Sequence, residues 1–209
     1  MKAQNFTSKA LSMSEFMLYF KLGLHHVLDI RAYDHILFLI ALVVPYSFKD
    51  WKKVVTLVSV FTLGHTLALV LALYKILKID ADFVEFLIPI TILCTAVYNL
   101  FHSGKGSSKS GISVTAFITL FFGIIHGLGF SNYFNTILSG SPSDKLVPLL
   151  EFALGIELAQ LAVVLAVLIL SLLIQYFVKN SKKNWILITS SIIIGVVIPM
   201  LIESEIWNK

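Results

Sequence analysis

A single cysteine, Cys94, among 209 residues leaves no intrachain disulfide and no paired-cysteine metal site. It lies in an apolar run and is expected to pack there. Charge is scarce as well: Asp, Glu, Lys and Arg make up 13% of the chain, about half of the roughly 25% usual in soluble domains. There is no GxSxG elbow, HExxH pair, Walker loop or GxGxxG turn, so the motif-bearing hydrolase, zincin and nucleotide-binding classes are set aside. The net charge of +4 comes from lysines placed singly or in short groups beside apolar stretches, where membrane topology puts them. No nucleic-acid partner is expected. The first eleven residues are too polar for a signal-peptide core, so insertion is expected to rely on the chain's own spans.

Apolar sequence fills the rest, with 57% hydrophobic residues and a mean hydropathy of +0.89. A bilayer core about 30 Å thick takes roughly 20 apolar residues per helix, which leaves room for six or seven spans and no separate soluble domain. The expected fold is all-α: one polytopic transmembrane helix bundle over residues 1–209. Six spans are expected at 32–44, 53–74, 83–102, 112–130, 146–177 and 185–202. Before them, residues 12–30 place Phe16, Met17, Phe20, Leu24 and Val27 at helical spacings, as in an amphipathic or re-entrant helix at the interface. The Gly/Ser/Lys stretch 103–111 is the nearest thing to a linker and is expected to be mobile.

Lysines set the orientation. Lys49, Lys52 and Lys53, then Lys105 and Lys109, then Lys179, Lys182 and Lys183 follow spans one, three and five. The loops after spans two and four carry only Lys75, Lys78 and Lys145. The positive-inside rule makes the first set cytoplasmic and both termini outer, in the inner membrane of a bacterium.

Against this background, His26, His35, His65 and His126 with Asp29, Asp34 and Glu157 stand inside or at the mouth of apolar stretches. Ionisable side chains there are costly and mark function. Imidazole and carboxylate are the donors that divalent transition metals take. At about 1.5 Å per residue, His65 lies roughly 18 Å and His126 roughly 21 Å from the cytoplasmic starts of their spans, and Glu157 about 16 Å from the outer start of its own. All can meet in the outer half of the bilayer. Spans two and four run in the same direction and share a Phe four residues before His, with glycines alongside: Phe61-Thr-Leu-Gly-His65 and Phe122-Gly-Ile-Ile-His126. Small residues let such helices approach closely. Gln160 shares a helix face with Glu157 and is the candidate that orients it. Each residue also has a plainer role available: Asp34 as the N-cap of span one, Asn99 as an interhelical hydrogen bonder, any one histidine as a bonded core residue.

At these positions the chain resembles the HupE/UreJ family of membrane proteins. The matching segments are Ala32-Tyr-Asp-His-Ile-Leu-Phe-Leu39, Phe61-Thr-Leu-Gly-His-Thr-Leu67, Phe122-Gly-Ile-Ile-His-Gly-Leu-Gly-Phe130 and Phe152-Ala-Leu-Gly-Ile-Glu-Leu-Ala-Gln160. The resemblance implies a bundle of six or seven spans, an outward N-terminus, nickel or cobalt permease activity, and metal handling by the His and Asp residues of the first motif. It carries over to Asp34, His35, His65, His126 and Glu157. Family members have a histidine separated by five residues from an Asp-His pair. Here Leu28 holds that place, seven residues separate His26 from Asp34, and Asp29 is the candidate to fill the vacancy.

Three readings follow. In the first, a permease admits nickel, cobalt or a related divalent ion from outside, captured by His26, Asp29 and Asp34 and bound within the bundle by His65, His126 and Glu157. In the second, an intramembrane zinc hydrolase acts on a lipid or membrane-anchored substrate, with Glu157 or Asp34 as general base. The third is a non-catalytic membrane subunit whose polar residues join helices. The nearly unbroken apolar run 161–173 counts against an open pore.

Overall fold

A computed structural model describes residues 2–77, 79–103, 112–137, 141, 143–177 and 181–208. The linker expected at 103–111 lies, from 104 on, outside the described residues, as do Lys78, Lys105, Lys109 and Lys179. Among the described residues the fold is all-helical, with seven α-helices: α1 (Lys2–Leu28), α2 (Asp34–Val43), α3 (Trp51–Leu73), α4 (Ala81–His102), α5 (Ile112–Ile137), α6 (Leu146–Phe177) and α7 (Lys182–Ile202). Five of them, α3 to α7, are long and apolar enough to cross a membrane. In lipid a helix answers its own backbone hydrogen bonds, and a multi-pass membrane protein follows.

Capping explains where the helices start. Asp80 accepts from the N–H groups of Asp82 and Phe83 ahead of α4, and Ser181 accepts from the Asn184 N–H ahead of α7, each answering donors that a first turn leaves open. Before α6, the Ser141 hydroxyl and N–H both donate to the Asp144 carboxylate. Those bonds hold the Asp144 pKa below the usual carboxylate range. α5 runs seven residues past its expected end at 130, and in that stretch Ser131 and Thr136 turn their hydroxyls back onto the carbonyls of Leu128 and Tyr133. A polar tail stays helical.

The first sixty residues depart most from expectation. The N-terminal helix begins at Lys2 instead of residue 12 and packs lengthwise against α6. Gly23 and Gly155 face each other there: a Cβ on Gly23 would meet the Phe152 carbonyl oxygen, and one on Gly155 that of Phe20. The expected first span is the ten-residue α2, about 15 Å long at 1.5 Å per residue and half of what a bilayer core demands. It is a buried core helix, with His35, Phe38, Leu39, Ala41, Leu42 and Val43 all inaccessible. Tyr33 holds the N-cap position and makes no side-chain cap, while Asp34 is the first helical residue and its carboxylate accepts the His35 N–H.

Helices pair as α3 with α5, α1 with α6 and α4 with α7, around α2. α3 and α5 are parallel and in backbone contact. A Cβ on Gly123 would strike the Phe61 carbonyl oxygen, and one on Gly127 that of His65, four residues further along both helices. Asn99 ties α4 to α2, its amide donating to the Ala41 carbonyl at 2.7 Å. Cys94 is a free thiol on the exposed face of α4, not a packing residue.

Candidate metal centre

Three separate elements deliver three imidazoles to one point. His26 comes from the last turn of α1, His35 from the first turn of α2 and His65 from the middle of α3. One ring nitrogen from each lies within 4.8 Å of the other two. His126 of α5 joins from the side, its ring centroid 5.2 Å from that of His35. Two aromatic walls enclose them. Phe130 sits 4.0 Å from the His26 ring and stacks on Phe152, while Phe61 stands 5.1 Å from His126. His35, His65 and His126 are 2%, 0% and 1% exposed.

Hydrogen bonds then decide which nitrogens are free. The Phe122 carbonyl can only accept, so His126 donates Nδ1–H to it at 2.9 Å, and Nε2 keeps a lone pair. Asp34 is held by the His35 N–H at 2.8 Å and takes the His35 Nδ1–H at 3.1 Å. His35 therefore also presents a bare Nε2. Neither nitrogen of His65 has a partner, nor has His26 Nε2. Buried polar atoms are nearly always bonded. Three imidazoles with nitrogens close together, and a fourth ring beside them, all carrying buried nitrogens without partners, make a donor set that a cation would satisfy, and a carboxylate on the far side of a ligating histidine is the usual orienting partner.

The Phe-to-His spacing shared by α3 and α5 now has distinct meanings. In α5 the residue four before the histidine supplies the carbonyl that fixes its ring. In α3 the ring of Phe61 supplies a wall against His35 and His126, and His65 stays free at both nitrogens.

Asp29 and Glu157 are directed elsewhere. Asp29 is exposed and accepts from the Arg31 N–H at 2.9 Å, closing the turn after α1, so the extra spacing ahead of Asp34 is taken up by His26 itself. Glu157 accepts from the hydroxyls of Ser59, at 2.6 Å, and Thr62. The Thr62 hydroxyl also lies 2.9 Å from Gln160 Oε1, a second acceptor for its one proton. The pairing of Gln160 with Glu157 thus runs through Thr62, one helical turn before His65. Sequence reasoning passed over Ser59 and Thr62, since a lone hydroxyl in a span ordinarily bonds back to its own helix. Their spacing with His65, three and three, was the available signal.

At the neighbouring end of the bundle a cavity of about 320 Å³ opens, lined by Arg31, Tyr33, Asp34, Glu85, Glu203 and Glu205 among others. Asp34 faces it and bonds His35. Pro89 also lines it and removes the hydrogen bond that an N–H there would give the Glu85 carbonyl.

A family model described as HupE / UreJ protein matches residues 2–204. The chain belongs to that family. The match covers all seven helices and all four imidazoles of this HupE/UreJ protein, including α1, which carries His26. No curated protein and no solved structure shows a significant match.

Proposed function

We propose that this HupE/UreJ protein is a permease for a divalent transition-metal ion of the nickel or cobalt class. His26, His35 and His65 are the ligands, His126 a fourth donor, and Asp34 the group that orients His35. The observation that carries the reading is the set of buried imidazole nitrogens with no partner, a donor set that suits nickel, cobalt and zinc. The acidic cavity is the outer mouth, on the side where the lysine pattern places the termini, in a bacterial inner membrane. Its three glutamates raise the local cation concentration, and Asp34 links it to the imidazoles.

Proteoliposomes containing the purified protein are expected to accumulate Ni²⁺ or Co²⁺ saturably, and the detergent-purified protein to bind the same ion at micromolar concentration. Neither binding nor uptake would sink the permease. Stoichiometric, tightly held zinc without uptake would favour the hydrolase reading, for which three histidines and an orienting carboxylate are equally apt.

The mouth makes a separate prediction. Glu85→Gln combined with Glu203→Gln is expected to raise the apparent KM for uptake by about tenfold at low ionic strength, through loss of electrostatic focusing. The maximal rate stays as it was. Screening shrinks the difference as salt rises past about 0.15 M. An unchanged KM at low salt would remove the cavity from the route.

A further inference from the structure

The cluster around Glu157 has more acceptors than protons. Ser59, Thr62, Glu157 and Gln160 bring five side-chain oxygens together, and two hydroxyl protons are shared among them. Thr62 owns one of them, yet three acceptors lie in reach: the Val58 carbonyl at 3.2 Å, Glu157 and Gln160 Oε1 at 2.9 Å. Gln160 is 0% exposed, and its Nε2 has no partner. Reversing the amide lets Nε2 donate to Thr62 but leaves Oε1 bare in the same place, so one buried amide atom goes unanswered either way. The cluster of five oxygens, two of them a carboxylate's, shares two hydroxyl protons, so the shortage of positive charge lies among the oxygens and not at the amide nitrogen.

Its position gives that shortage a use. Thr62 and Ser59 lie one and two turns before His65 along α3, on the side of the imidazoles away from the acidic mouth, and α6 supplies the carboxylate and amide. The donors also differ in kind. Imidazole holds nickel and cobalt firmly, whereas carboxylate, amide and hydroxyl oxygens suit harder ions and hold a transition metal more loosely. Conduction needs sites weak enough to leave.

We propose that Glu157, Gln160, Thr62 and Ser59 form a second cation station, made of oxygen donors alone, which takes the divalent ion after it leaves the imidazoles. This rests on the permease reading. It replaces a single mixed site with two in series, first the imidazoles of α1, α2, α3 and α5 and then the oxygens of the α3–α6 seam.

Mn²⁺, an ion that prefers oxygen and is visible by electron paramagnetic resonance, is the probe. In the double variant His35→Ala/His65→Ala, Mn²⁺ is expected to remain bound, and adding Glu157→Gln is expected to abolish that binding. In the otherwise intact protein, Glu157→Gln keeps the hydrogen-bonding shape. It should hold Ni²⁺ at equilibrium within about twofold of wild type, which also shows that the fold survives, while uptake falls more than tenfold. The proposal is overturned if Glu157→Gln transports like wild type. It is equally overturned if Glu157→Gln weakens Ni²⁺ binding as far as His35→Ala does, since Glu157 would then be a ligand of the imidazole site. Mn²⁺ binding that depends on Glu157, in a protein whose wild type moves no metal, would uphold the station and refute the permease.

Discussion

His35→Ala is expected to abolish stoichiometric Ni²⁺ or Co²⁺ binding by the purified protein. His35 is the hub of the cluster: its ring lies 4.6 Å from His26, 5.6 Å from His65 and 5.2 Å from His126, whereas the others meet one another less completely. Removing it takes away one of three mutually close ligands and strands Asp34 without its imidazole partner. Loss of an orienting carboxylate alone ordinarily costs about 10–100-fold in metal affinity. Asp34→Asn is therefore expected to fall in that range, and His35→Ala beyond it. The fold is expected to persist in both. The wild-type ring already buries an unpartnered nitrogen, so truncation removes an unfavourable group along with some packing. Isothermal titration with thermal unfolding in detergent separates the two effects. Retention of wild-type stoichiometry and affinity by His35→Ala would place the metal elsewhere.

Much of this is legible in the amino-acid sequence, for a physical reason that also marks the limit. In an apolar chain every ionisable residue is conspicuous, so His26, His35, His65 and His126 announce themselves, and a rise of about 1.5 Å per residue brings the last two to matching depth. The glycines beside His65 and His126 were similarly readable as a close contact of parallel helices. Hydropathy reports length and apolarity but not which helix lies inside the bundle. For that reason α2 passed as a span when it is a ten-residue core helix, and α1, too polar to count, packs along α6 through Gly23. Depth arithmetic is blind to rotation about the helix axis. Glu157 bonds Ser59 and Thr62, one to two turns along α3 from His65, and Asp29 faces its own turn. Nor does pattern reveal the mouth, because Glu85, Glu203 and Glu205 are ordinary loop-end acids until α4 and the end of α7 are brought together.

Gly123→Leu is expected to cost both stability and metal, and the glycine series shows why. A Cβ at residue 123 would meet the Phe61 carbonyl oxygen, with the Phe61 carbonyl carbon at 3.1 Å and the His65 nitrogen at 3.2 Å. All three are backbone atoms of α3, so no rotamer change relieves them and the helices must separate. Alanine gains about 1 kcal/mol over glycine in helix propensity, while overpacking a tight interface costs about 1–3 kcal/mol. The clash wins, and Gly123→Ala is expected to lower the unfolding temperature modestly. Leucine adds three carbons to the same collision and lowers it much further. Gly195 supplies the opposite case, since a Cβ there meets nothing within 4 Å. Only propensity acts at that position, and Gly195→Ala is expected to stabilise by about 0.5–1 kcal/mol. The same geometry ties packing to function. Gly123 rests against the His65 backbone and Gly127 against the His65 carbonyl, so a shift of α3 relative to α5 carries His65 away from His26 and His35. In thermal unfolding and Ni²⁺ titrations the three variants should rank Gly195→Ala above Gly123→Ala above Gly123→Leu in both readouts. Gly123→Ala as stable as wild type would mean that α3 and α5 do not pack backbone to backbone at the level of the imidazoles.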